Sequence, residues 1–293
     1  SQIFEAGDIP ASCTVLRARP ADDSKTPSYA PAPIDEVIET IRREKPALVF
    51  APHVETSAGI VLPLNYMRSV AAAVHESGGL FVLDCVASGA IWVDMQAAGV
   101  DILISAPQKG WSASPCAALV MMSNRARSAI DATQSSSFAC DLKRWLGIME
   151  AYEGGGHAYH ATMPTDALVK FRDTMKETAA RGFEVARAEQ QELGDRVRAM
   201  LERNGFKSVA AEGYKAPSVV VNYTDAADIQ NGSRFAAEGL QIAAGVPLEC
   251  GEGDGFQTFR LGLFGLDKLE NIDRTVANLD GALQKILAET NVR

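Results

Sequence analysis

Two residues of the sequence have the types and the setting to act as reagents. Asp84 closes an apolar run, LFVLD, and Lys109 lies just past the next one, in ISAPQKG. Taken singly, a carboxylate at the end of such a run is usually a cap or turn residue, and a lysine in a polar stretch is usually solvated. Taken together they are an acid that can pair with a protonated pyridine nitrogen and an amine that can form a Schiff base with an aldehyde. Those are the two protein groups that pyridoxal phosphate chemistry demands. Other familiar reagent patterns are missing. The sequence has no G-x-x-x-x-G-K-S/T phosphate loop, no H-E-x-x-H, no G-x-S-x-G and no S-x-x-K. The glycines Gly251, Gly253 and Gly255 have the wrong spacing for a dinucleotide fingerprint and read as a flexible loop. His157 and His160 bring too few companions for a metal site, so none is expected.

The elements around these residues alternate. Apolar residues at Ile34, Val37, Ile38 and Ile41 predict a helix over 34–44, after a proline-punctuated loop from Ala21 to Pro33. Strands are expected at Ala47–Ala51, Leu80–Asp84 and Ile102–Ser105, with helices at Pro63–Ser77 and Val93–Ala98 between them. This alternation implies right-handed βαβ crossovers and a mostly parallel sheet. Ligands of open α/β sheets bind beyond the carboxyl ends of the strands. The polar clusters His53–Ser57, Asp84–Ser88 and Ser105–Lys109 all fall there.

Further on, Thr165 to Arg203 is rich in Ala, Glu, Arg and Leu and predicts one or two long helices. A strand at Ser218–Tyr223, a helix at Gly232–Gly239, a strand at Thr258–Leu263 and a helix at Leu266–Leu287 complete a smaller α/β unit. The expected division is a large cofactor-binding domain over 1–164, then connecting helices and a small C-terminal domain over 165–293.

Composition narrows the partners. In 293 residues, 28 Lys plus Arg stand against 37 Asp plus Glu, a net charge of −9, so the broad cationic face that nucleic acid requires is lacking. No apolar run approaches the roughly 20 residues of a membrane span. The cysteines Cys13, Cys85, Cys116, Cys140 and Cys250 are odd in number and scattered, with no C-x-x-C pair, which argues against a disulfide framework and for a reducing, cytoplasmic setting. The opening SQIFEAGDIP carries neither an initiating Met nor a signal peptide and reads as the continuation of a longer chain.

Five segments, HVETSAG (53–59), DCVASGA (84–90), SAPQKGW (105–111), YHAT (159–162) and FRLGLFG (259–265), occur in the order and rough spacing of the class V aminotransferases. The sequence resembles the alanine–glyoxylate and serine–glyoxylate group of these fold type I pyridoxal phosphate enzymes, from about Val49 onward. The resemblance implies that Lys109 is the Schiff-base lysine and later proton shuttle, and that Asp84 holds the ring nitrogen protonated. It places Val86 against the ring face, Thr56 near the ring hydroxyl and Gln108 near the phosphate. Tyr159 and Thr162 are expected to reach the phosphate of the neighbouring subunit in a homodimer. Arg260 is expected to clamp the substrate carboxylate, a task suited to a planar bidentate group.

The implied reaction is a ping-pong transfer of an amino group from an amino acid to a small 2-oxo acid, glyoxylate or pyruvate. Nothing in the sequence selects the donor, because one carboxylate clamp serves every α-amino acid. A lyase or a cysteine desulfurase on the same scaffold is the alternative. A desulfurase would need Cys250 as nucleophile, and Glu249 and Glu252 beside it would raise rather than lower the thiol pKa. A non-catalytic cofactor-binding regulatory domain would need a DNA-binding region that this acidic chain does not contain. The family's N-terminal phosphate cup and ring-stacking aromatic have no counterpart here, so these 293 residues alone are expected to hold the cofactor phosphate weakly.

Overall fold

The computed structural model describes residues 12–253 and 255–290. The Ser1–Pro10 segment and Asp254 of the glycine-rich run lie outside the described residues.

Four strands form the first sheet, in the order Leu48–Pro52, Leu80–Asp84, Ile102–Ser105 and Leu119–Met122. The first three are parallel and the fourth is antiparallel. Phe81, Val82 and Leu83 are buried, the continuous apolar run of a strand covered on both faces. Helices Ile34–Glu44 and Leu64–Glu76 pack on this sheet, with Val37, Ile41, Met67, Val70 and Val74 against Phe81, Leu83 and Leu103. Asp35 and Glu36 open the first helix and Arg42 and Arg43 close it, each charge complementing the helix dipole.

Three antiparallel strands form the second sheet: Ala243–Ala244, Thr258–Gly262 and Val219–Tyr223. The strand period of two divides its faces. Phe259 and Leu261 join Val197, Leu201, Phe235 and Leu283 in one core. Val219, Val221 and Tyr223 pack instead with Tyr29, Val54 and Ile60. The N-terminal stretch therefore reaches the second sheet: Tyr29 N–H donates to Val209 O at 2.7 Å, and Tyr223 Oη donates to Pro27 O at 2.7 Å.

The long helical stretch is two helices, Thr165–Arg181 and Phe183–Arg203, broken at Gly182, whose φ of 95° suits only glycine. The final stretch is also two, Leu266–Leu269 and Ile272–Thr290, because Asn271 accepts the Arg274 N–H at 2.9 Å and starts a new helix. The helix expected at Val93–Ala98 begins only at Met95, since Asp94 caps it by accepting the Ala97 N–H at 2.9 Å. The Leu119–Met122 strand and the helices Asn124–Asp131 and Leu142–Glu153 were not anticipated. No helix among the described residues is long and apolar enough to cross a membrane.

Candidate active site

Asp84 is the last residue of its strand, in register with Ile104 of the neighbouring strand. It is exposed although the three residues before it are buried, because the strand emerges there at its carboxyl end. Its Oδ1 accepts the Val86 N–H at 2.8 Å, and no donor among the described residues reaches Oδ2. The chain then turns sharply: Cys85 N–H donates to Ile104 O at 2.7 Å and Ser88 N–H to Cys85 O at 3.2 Å.

Lys109 stands four residues past the Ile102–Ser105 strand, at the same sheet edge. Its loop is closed by Ser112 N–H donating to Lys109 O at 3.1 Å and Ala113 N–H donating to Pro107 O at 3.0 Å. The half-buried ammonium makes no hydrogen bond or ion pair with another described residue and lies 5.4 Å from the centroid of the Phe264 ring. Asp84, at its strand end, and Lys109, in the neighbouring loop, carry opposite charges and do not pair with each other.

Glycines bring these loops together. A Cβ on Gly110 would stand 2.2 Å from Gly89 O, so the lysine loop presses on the Asp84 turn at a distance only glycine permits. Behind Gly89 lies the fully buried Gln190 of the Phe183–Arg203 helix. Its Oε1 accepts the Ala90 N–H at 3.4 Å, while Nε2 donates to Pro217 O and Leu263 O, each at 3.2 Å. Two further bonds fasten the loops to the second sheet: Ser218 Oγ donates to Ala87 O at 2.8 Å, and Leu266 N–H donates to Ser112 Oγ at 2.7 Å.

Thr56 lies at the tip of the Val54–Glu55 and Ile60–Val61 hairpin, also beyond the carboxyl edge of the sheet. Glu55 Oε1 shapes that tip by accepting the Ser57 N–H at 3.0 Å and its hydroxyl at 2.9 Å. The Thr56 hydroxyl and the exposed Gln108 amide have no hydrogen-bond partner among the described residues. Val86 is half-buried in the Asp84 turn. Arg260, on the second sheet, donates through Nε to Ala244 O at 2.8 Å and has no carboxylate within ion-pair distance among the described residues. The exposed Tyr159 hydroxyl and Thr162 Oγ1 lie 3.1 Å apart.

Sequence reasoning missed His53, Ser88, Phe264, Trp92 and Gln190. His53, Ser88 and Phe264 lie within the quoted motifs, but nothing in a motif shows burial or partner. Trp92 packs on Trp111 with ring centroids 4.8 Å apart and donates through Nε1 to Phe183 O at 3.1 Å, supporting the lysine loop from beneath. His160 meets Phe138 O at 2.8 Å through Nε2, the bond of a loop-fastening histidine. Burial, and then the Glu252 carboxylate, pushes the Cys250 thiol up, away from the range of a nucleophilic cysteine.

Among the described residues this edge thus presents an uncommitted amine, an uncommitted carboxylate oxygen, an uncommitted hydroxyl and amide, and on the second sheet a guanidinium facing no acid. Such a set can capture a carbonyl, hold a protonated nitrogen heterocycle and bind carboxylate or phosphate.

Comparison with known proteins bears on which molecule that is. The family model described as Aminotransferase class-V matches residues 21–252. The alanine–glyoxylate aminotransferase of Felis catus is 27% identical over 263 residues, which cover 86% of this chain and 61% of that protein. The 2-aminoethylphosphonate–pyruvate transaminase 1 of Burkholderia lata is 28% identical over 238 residues, covering 80% of this chain and 61% of that protein. The chain therefore spans about three fifths of the length of the curated relatives it matches. The crystal structure of alanine–glyoxylate aminotransferase from Nostoc sp. superposes with a TM-score of 0.74 at 24% identity, covering 88% of this chain and 67% of that one. The architecture is accordingly that of the fold type I transferases.

Proposed function

The chain belongs to the class V aminotransferases, and on that premise we propose that it is the greater part of a pyridoxal phosphate-dependent transaminase. The reaction is transfer of an amino group from an amino acid to a small 2-oxo acid, glyoxylate or pyruvate, in ping-pong fashion. One observation carries the reading: Asp84 and Lys109, neither with a charged partner among the described residues, stand at one sheet edge, where the Gly110–Gly89 contact presses their loops together. The residues present fit pyridoxal phosphate, because its aldehyde calls for an unpaired amine, its ring nitrogen for an acceptor and its oxygens for donors. When bound, that cofactor supplies an electron-withdrawing ring that acidifies the α-carbon of an attached amino acid.

The chain's residues do the rest. Asp84 Oδ2 holds a proton on the ring nitrogen, and its Oδ1 stays fixed by the Val86 N–H. The Lys109 amine would hold the cofactor aldehyde and would serve as the base that moves a proton at the substrate α-carbon. Val86 would bear on the ring face, Thr56 would meet the ring hydroxyl and Gln108 the phosphate. Arg260, its Nε held on Ala244 O, would offer its two terminal nitrogens to the substrate carboxylate. Tyr159 and Thr162 serve the phosphate of a second subunit in a homodimer, and the setting is cytoplasmic.

The test is the visible absorbance of the full-length protein with pyridoxal phosphate, followed by screening of amino donors against glyoxylate, pyruvate and 2-oxoglutarate. Lys109-dependent absorbance that changes on adding a donor is expected. A protein that takes up cofactor equally well without Lys109 refutes the reading.

A further inference from the structure

His53 has no part in the roles above, yet it is built into their scaffold. It follows the Leu48–Pro52 strand, and its backbone N–H donates to Asp84 O at 2.8 Å, extending the parallel ladder by one rung. Its carbonyl accepts the Leu62 N–H at 2.8 Å. Its ring Nδ1 lies 2.7 Å from the hydroxyl of Ser88, where the turn begun by Asp84 ends. Both side chains are buried, at 3% and 4% exposure. The Ser88 N–H returns to the Cys85 carbonyl at 3.2 Å. One residue therefore grips the turn at both ends, by main chain at Asp84 and by side chain at Ser88. Between these grips sits Val86, whose N–H fixes the Asp84 carboxylate.

We propose that His53 is a positioning residue that sets the orientation of the Asp84 carboxylate toward the cofactor ring nitrogen, acting through Ser88 and the Val86 N–H. The proposal rests on the function assigned above.

Two features suit an imidazole for the task. Burial pushes the His53 pKa down to about 4, so the ring is neutral near pH 7 and brings no charge to compete for the carboxylate. A neutral ring can also donate to or accept from the Ser88 hydroxyl, so the bond holds whichever way that hydroxyl points its proton. An apolar residue of similar size would fill the space but release Ser88, leaving the turn held at one end.

The test uses the full-length protein, pyridoxal phosphate as probe, and four variants: His53→Leu, His53→Asn, Asp84→Asn and the His53→Leu, Asp84→Asn double. Cofactor affinity and the pH midpoint of the visible band are read, with circular dichroism as the check on folding. His53→Leu should weaken cofactor binding by about tenfold, the scale of one lost hydrogen bond, and move the midpoint in the same direction as Asp84→Asn. His53→Asn, whose amide can stand where Nδ1 stands, should recover most of the affinity. In the Asp84→Asn background the leucine should add nothing, because the group it misplaces is already gone. Equal losses in both backgrounds, or an asparagine no better than leucine in folded proteins, would overturn the proposal and leave the function intact. If the leucine variant does not fold, His53→Gln replaces it, since its amide reaches toward Nε2 rather than Nδ1 and should lose what asparagine keeps. A parent protein without Lys109-dependent cofactor uptake overturns the functional reading itself, and this proposal with it.

Discussion

Replacing Gly110 by alanine isolates the contact that brings the two loops together. The new Cβ would stand 2.2 Å from Gly89 O and 2.6 Å from Gly89 C, where ordinary contact begins near 3.4 Å. Gly89 has no room to retreat, with Gln190 Oε1 and Ser218 Cβ behind it. The lysine loop must move instead, by about 1 Å, and a misplacement of that size at reacting groups costs about a hundredfold in rate. Overpacking of this kind also costs about 1–3 kcal/mol of stability, with roughly 2–4 °C of melting temperature lost per kcal/mol in a chain approaching this length. Thermal unfolding and turnover would be measured on one preparation of the full-length protein. Gly281→Ala is the control: it sits in the Ile272–Thr290 helix with nothing within 4 Å of its would-be Cβ, and should stabilise by roughly 0.5–1 kcal/mol at unchanged activity. Parental melting temperature and turnover in Gly110→Ala would refute the idea that this contact sets the position of Lys109.

Other expectations follow from the same geometry. Lys109→Ala should lower transamination by orders of magnitude, and a rate near the parent's would remove it from the mechanism. Arg260→Lys keeps the charge but loses the fork, so KM should rise for amino acid and oxo acid alike while cofactor retention stays constant; unchanged KM values count against the clamp. Mixing an inactive Lys109→Ala chain with an inactive Tyr159, Thr162 double variant should restore activity if those residues serve a second subunit, and failure despite demonstrated subunit exchange would place them in their own chain. In the fold, burial and then the Arg187 charge hold the His53 pKa down to about 4, against 6.5 for an unperturbed histidine. The unfolded chain binds the extra proton between those values, so stability present above pH 6.5 is lost as pH falls toward 4, by about 3 kcal/mol. Urea midpoints of His53→Asn should show a shallower acid slope than those of the parent, and identical slopes would contradict the assignment.

The sequence disclosed what depends on local pattern. LFVLD, flanked by turn residues, marked its strand at the right residues, as did the run ending at Ser105. Asp94 starts its helix by a capping bond two residues after Val93, while the helix expected over Pro63–Ser77 runs from Leu64 to Glu76. Leu119–Met122 escaped notice because its residues are only partly buried and it runs antiparallel, outside the βαβ rhythm. The Leu142–Glu153 helix buries no residue, so its pattern carried no clear inward face. Of the candidate site, the motifs showed which reagents were present, while their coming together depends on contacts no local window contains. Glycine in SGA and glycine in QKG look like ordinary turn residues until each is seen against the other. Gln190 sits in a helix full of Glu and Arg, where nothing but the fold distinguishes a buried amide from a solvated one.

Gln190 also bears on the order in which the molecule can be made. Its bond to Ala90 spans 100 residues and its bond to Leu263 spans 73; the Ser218 bond to Ala87 spans 131 and the Leu266 bond to Ser112 spans 154. Contacts so distant in sequence form late and slow folding. During synthesis the Asp84 strand and the Lys109 loop emerge before the groups that clamp them from behind, which are not all present until the chain has passed Leu266. Until then the nascent protein carries Asp84 and Lys109 on an unclamped sheet edge, with the apolar face that will meet the second sheet still uncovered.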